Sequence, residues 1–158
     1  MVLKINNKKL KALEEAFKLF NNTEIKVGIQ DDAGMGEDGK TKIVDYGYWN
    51  EYGTRSKKGN IHIPKRSFIR ETARMNDNWK AEMQAAFYDV VNRGEKPLIA
   101  LSLVGVTATD NIKTRIRTGI APANADETIK RKKGKTTPLI DTGRLRNSIK
   151  YRLVKNDS

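Results

Sequence analysis

Histidine and cysteine carry most nucleophilic, acid–base and zinc chemistry, and this chain has one histidine, His62, and no cysteine. Nucleophilic catalysis of the Ser-His-Asp or Cys-His kind needs such a base beside the nucleophile. His62 lies between two isoleucines just before Pro64, where a packed or surface role is expected. Disulfides and thiolate metal sites are excluded, and a zinc site would need carboxylates drawn from scattered positions. Paired carboxylates remain as a source of hydrolytic chemistry. The acids gather, however, in 31–38 (DDAGMGED), a glycine-rich loop unsuited to holding catalytic geometry. No catalytic residue, metal or cofactor is expected, and the chain is not read as an enzyme.

Residues 34–41 (GMGEDGKT) formally fit the GxxxxGK[ST] phosphate-loop pattern after a strand. Glu37 and Asp38 sit inside the turn, where they would repel a phosphate. No second apolar strand ends in a magnesium-binding aspartate, as that architecture requires. Nor does the loop match the calcium pattern of alternating acids with a glutamate at the twelfth position. A solvated hairpin is the expected structure.

The remaining chemistry is cationic. The formal net charge is +12, which suits contact with nucleic acid, an anionic surface or an acidic protein. Two segments concentrate it. One is the turn at 55–60 (RSKKGN), with Arg55, Lys57 and Lys58 as candidate DNA-facing residues. The other is a proline-broken, polar stretch over 119–138, read as an extended basic arm, with Lys130, Arg131, Lys132, Lys133 and Lys135 as candidate partner contacts. Four consecutive cations repel one another unless something offsets them. Ordering the arm costs roughly 1–2 kcal/mol per residue of backbone entropy, so 121–137 is expected to be mobile in a free monomer and ordered in an assembly.

Periodicity supplies the elements that position these groups. Leu10, Leu13, Phe17 and Phe20 fall on one face of a helix from Asn6 or Asn7 to Phe20. Glu24 to Gln30 alternates as a strand. Thr41 to Tyr52 reads as a short helix with Gly47 as a weak point. Its Tyr48, Trp49 and Tyr52 are expected in the core and an oligomer contact rather than as a base-stacking platform. Ile61 to Ile63 is extended before Pro64. One long helix is expected from Arg66 to Asn92, and a second from Pro97 to Thr118, with Leu98, Leu101, Val104, Ala108, Ile112 and Ile116 as its stripe. Asp141 or Thr142 would cap a short helix over 143–148. Ile149, Tyr151 and Leu153 then mark a final strand, placed to pair with the first.

At 158 residues the chain suits a single domain over 1–158, burying roughly 70% of its unfolded surface. Elements that do not alternate strictly imply an α+β fold, a small antiparallel sheet packed against two long helices with the basic arm appended. No apolar run approaches the roughly 20 residues of a membrane span, and the first residues lack the apolar core of a secretion signal.

Two blocks carry a resemblance. Asn50-Glu51-Tyr52-Gly53-Thr54, followed by Ile63-Pro64-Lys65-Arg66-Ser67-Phe68-Ile69-Arg70, resembles the "EyGT … IPaRpFlR" pattern of tailed-phage virion morphogenesis proteins. Pro122-Ala123-Asn124, Thr128-Ile129, Lys132-Lys133-Gly134 and Pro138 to Leu145 resemble the later "PlN..Ti..KG…PLidTGrL" pattern of the same proteins. The likeness runs from about residue 24 to 153 and departs at Asp126-Glu127, where small residues are common. It implies a neck or tail-completion protein: an α+β protomer forming a homo-oligomeric ring, a hexamer, around the DNA channel of a virion. Its partners would be copies of itself, the head connector and the tail tube, with transient DNA contact in the lumen. Arg66 and Arg70 would then offer guanidinium forks to carboxylates of the adjacent subunit, or pair within the chain with Glu51 or Glu71. Arg144 joins the interface set. The alternative is a non-virion nucleic-acid-binding protein that uses the basic arm on phosphates.

Overall fold

A computed structural model describes residues 7–76 and 78–156. The fold is α+β, as the sequence implies, with long helices and two small antiparallel sheets. In chain order the elements are α1 (Asn7–Asn21), β1 (Thr23–Ile29), α2 (Ile43–Tyr52), β2 (Thr54–Arg55), β3 (Ile61–Ile63), α3 (Arg70–Met75), α4 (Asn78–Arg93), α5 (Pro97–Thr118), α6 (Asp126–Arg131), α7 (Arg144–Asn147) and β4 (Ile149–Lys155). One 3-10 turn, Asp31–Ala33, precedes α2. β1 pairs with β4, and β2 pairs antiparallel with β3. The expected pairing of the first and last strands is therefore present. Bonds from Asn156 N to Asn22 O and from the Gln30 side chain to Lys150 O fix its antiparallel sense.

Contacts gather into two compact units, 1–26, 77–108 and 151–158 in one and 27–76 with 109–150 in the other, so β1, α5 and β4 contribute to both. Residues 1–158, expected as one domain, are thus organised around two centres.

The first unit packs α1 and α4 with the N-terminal half of α5. Its core is Ala16, Ala86, Val90, Ala100 and Val104, with Phe20, Ile25, Met83, Phe87 and Val91 around it. Phe87 meets Phe17 and Phe20 edge-on, at 5.0 and 5.3 Å between centroids, the geometry that ring quadrupoles favour. Small residues in the helices allow close packing. At Gly105 a β-carbon would overlap the Tyr151 ring of β4.

The second unit buries Ile43, Phe68, Ile112, Ile116, Ile120 and Ile149. Fully burying each of these large side chains contributes about 1.5–3 kcal/mol. Gly47, expected as a weak point of α2, is a point of close approach, because a β-carbon there would overlap Ile29 of β1.

Three expectations need correction. The single helix over 66–92 is two helices, α3 and α4. Asn76 leaves helical geometry (φ −110°, ψ 79°), and its side-chain amide donates to Thr72 O, closing α3. Asparagine does this readily because its short amide competes with the helical ladder. Second, neither Asp141 nor Thr142 caps α7. Gly143 holds the N-cap position in the left-handed region with no side-chain cap, and the Thr142 hydroxyl instead donates to Glu37. Third, the aromatic residues of α2 divide: Tyr46 and Trp49 are half-buried, while Tyr48 is 61% and Tyr52 49% exposed and so outside the core.

Candidate functional site: a carboxylate knot and a basic strap

Glu51, on the last turn of α2, is only 5% exposed, and its charge is taken up entirely within the chain. The carboxylate accepts from the Ser67 hydroxyl at 2.5 Å, from the backbone amides of Phe68, Ile69 and Arg70 at 2.8, 3.0 and 3.0 Å, and from Arg70 Nε at 3.1 Å. Those amides are the donors left free at the start of α3, so Glu51 serves that helix from a distance of 16–19 residues in sequence. Burial alone would raise its pKa. The bonds from Ile69, Ser67, Arg70 and Phe68 outweigh burial and hold it below the ordinary value. Arg70 is oriented by the same group. Its Nη2 donates to Glu51 O at 3.3 Å, and its guanidinium lies 4.1 Å from the centroid of the Tyr52 ring.

Arg66 is 7% exposed and donates from Nε to Pro122 O at 2.8 Å and from Nη2 to Ala123 O at 3.0 Å. Burial lowers its pKa from the ordinary arginine value. Of the two readings the sequence offers for these arginines, Arg70 follows the one within the chain. Arg70 pairs with Glu51 of its own chain, and Arg66 spends its fork on two carbonyls 56 and 57 residues away.

Those carbonyls begin the segment expected to be an extended basic arm. It is instead a folded strap. α6 occupies its middle, with Asp126 and Glu127 in the first turn and Lys130 and Arg131 in the last, matching the helix dipole at both ends. Left-handed Lys133 and Gly134 close it, with Gly134 N bonded to Ile129 O. Asn124 Nδ2 bonds to Thr136 O at 2.9 Å, joining the strap's two ends. Lys132 turns inward, 8% exposed, and donates to Thr137 O at 2.9 Å. Burial pushes the Lys132 ammonium below the ordinary lysine value. Asp141 opposes this, while Arg66, Lys135 and Arg131 add to it. The sequence held one signal of α6, the acid pair followed by the basic pair, which was obscured by the surrounding charge run.

The other cations divide. Lys135 donates to Asp141 O at 2.7 Å, and Arg144 donates to Met35 O and Gly36 O at 3.4 and 3.3 Å. Arg55 Nη1 donates to Gly59 O at 2.9 Å across the β2–β3 turn. Lys57, Lys58, Lys130, Arg131 and Lys133 are exposed, as is His62 on β3.

The loop with the phosphate-loop pattern already uses its donors. Asp38 accepts from the amides of Lys40 and Thr41, the Thr41 hydroxyl and the Tyr46 hydroxyl. Led by the Thr41 hydroxyl, these bonds hold its carboxyl far below the ordinary carboxylate range. Gly36 N donates to Thr41 O at 2.7 Å, and Met35 bridges Lys42. The loop is a closed hairpin with a carboxylate where a phosphate would sit. Among the described residues no three histidine, aspartate or glutamate side chains stand close enough together to hold a metal ion, and no helix is long and apolar enough to cross a membrane.

No protein-family profile, no curated protein and no solved structure matches this chain.

Proposed function

We propose that this chain is a structural protein of a tailed-phage virion, which joins the head connector to the tail as a homo-oligomeric ring around the DNA channel. The observation that carries the reading is where the resemblance residues fall. Glu51 belongs to the first short block, Arg66 to Arg70 to the next, and Pro122-Ala123 to the later one. Hydrogen bonds tie all three together within one unit. The residues of the resemblance therefore do architectural work, as a building-block protein requires, and the charged groups among them are spent on the chain's own backbone.

Self-assembly draws support from α5. Residues 97–109 carry no charge in a chain whose formal charge is +12, yet Leu98, Ile99, Leu103 and Val106 are 45–63% exposed there. A helix that is apolar on more than one side belongs in a buried setting. Copies repelled by like charge elsewhere can approach through this uncharged face. The reading in which the strap grips phosphates outside any virion has less to draw on, because Lys132 points into the chain's own body.

The test is the assembly itself. Native mass measurement and electron microscopy of the full chain, at low and high salt, should give closed rings of one subunit number that persist in both. Particles assembled without the protein should accumulate heads and tails unjoined. A chain that stays monomeric at high concentration, with particle joining unaffected by its absence, refutes the proposal.

A further inference from the structure

We propose that the surface formed by Tyr48 and Tyr52 of α2, Arg70, and the β2–β3 hairpin binds single-stranded nucleic acid. It concerns one copy of the chain and stands or falls independently of ring formation.

Three observations meet at this surface. First, α2 turns Ile43 and Gly47 inward but leaves two tyrosine rings in water, with centroids 4.7 Å apart and planes 34° from parallel. Two rings set against each other at a tilt on the outside of a helix do nothing for the core. Second, Arg70 extends the stack. Its guanidinium lies over Tyr52 and is held by both the carboxylate and the carbonyl of Glu51, so the planar groups are set before any ligand arrives. Third, every residue from Arg55 to His62 is exposed, with Lys57 and Lys58 in the turn, and residues 53–70 contain six lysines and arginines and no acid.

Platform and cations are rigidly related. Gly53 closes α2 by donating to Trp49 O at 2.8 Å, with φ at 76°. A β-carbon at Gly53 would stand 3.0 Å from Lys65 N and 3.1 Å from Ile63 O. The base of the hairpin is therefore pressed against the end of α2, beside Tyr52. The turn is fixed in its own right by Ser56 N to Asn60 O at 2.8 Å and Gly59 N to Ser56 O at 2.9 Å.

The chemistry of the ligand follows. Cations alone would suit any anionic partner. An aromatic face next to them, that of Tyr48 at the outer end of the stack, suits a chain that offers flat bases and phosphates in alternation. A duplex hides its base faces in the stack, so the unpaired strand is favoured.

Fluorescence anisotropy of the full chain with labelled oligothymidine, of about 20 nucleotides to exceed a typical site, tests this against a duplex of equal length. The single strand should bind more tightly than the duplex. Tyr48→Ala should weaken binding about tenfold without changing its salt slope, and Tyr48→Phe should restore it. Lys57→Ala with Lys58→Ala should flatten the log–log salt slope by about 1.4, at 0.7 per phosphate contact. A strap variant, Lys130→Ala with Arg131→Ala and Lys133→Ala, should lose less than the hairpin variant. Equal or tighter duplex binding, an unchanged Tyr48→Ala, or a strap variant that loses as much as the hairpin variant overturns the proposal. Tyr48 is exposed, so melting temperature serves to show that its variants remain folded.

Discussion

Glu51 sets the terms at the level of single residues. An isolated carboxylate at this depth would be expelled or protonated. Five donors from 67–70 keep it charged, and four of them would be left without a partner if it were lost. Glu51→Gln keeps the shape but replaces one acceptor oxygen with a donor that faces other donors. It should cost about 3 kcal/mol of stability, since stranding a buried donor costs about 1–3 kcal/mol. Urea unfolding at neutral pH measures this. The pH dependence follows from the depressed carboxyl. Its contribution is complete above the ordinary value of 4.5 and declines as pH falls through the lower folded value. Wild type should therefore lose stability below about pH 4 more steeply than Glu51→Gln, and the two curves should converge in acid. Parallel curves would show that the carboxylate is not the group responsible.

At the level of elements, the strap turns on Arg66. Arg66→Ala removes both bonds to Pro122 O and Ala123 O and leaves a cavity below them. Hydrogen exchange should then speed up across α6 and its flanks, while amides of α1 and α4 keep their protection. Uniform loss across the chain would mean that the strap has no separate anchoring. What the sequence disclosed, and what it hid, divides along the same line. The bounds of α5 were legible because the determinants are local: Pro97 at the first position, an apolar stripe, and Gly119 after the last turn. β1 and β4 were legible from alternation. The start of α3 at Arg70 was not, because the amides of Phe68, Ile69 and Arg70 are engaged by a side chain on another helix, and no local pattern reports that; the break after α3 turns on the single Asn76, whose amide bonds to Thr72 O. Thr142 looked like a cap and is drawn instead to Glu37, more than 100 residues away. The strap looked disordered because its charge pattern dominates, while its anchors are two carbonyls and one inward lysine. For Arg70 the sequence offers Glu51 of the same chain as one partner, and that pair forms, whereas no local pattern points to the Pro122 and Ala123 carbonyls that Arg66 takes. The exposed tyrosine pair shows the opposite failure, since aromatic residues usually signal a core.

For the whole molecule, the prominent feature is an uncharged helical face on a strongly cationic chain. If copies meet through α5, Leu103→Glu places a charge at the centre of that contact and should shift the assembly to monomer. Analytical ultracentrifugation would record the shift, and far-UV circular dichroism should stay unchanged, because Leu103 is 63% exposed. Neutralising Lys130, Arg131 and Lys133 should leave assembly intact. The reverse pattern would move the contact to the strap.

The Glu51 knot also makes the backbone tolerant of being cut. A protease that cleaves after basic residues should nick first beyond Lys57 or Lys58, at the protruding hairpin. Glu51 lies upstream of that nick, and its donors, Ser67 to Arg70, lie downstream. The two fragments should therefore separate on a denaturing gel yet travel together through a sizing column, held by the Glu51 bonds together with the β1–β4 pairing and the packing of α1 on α4.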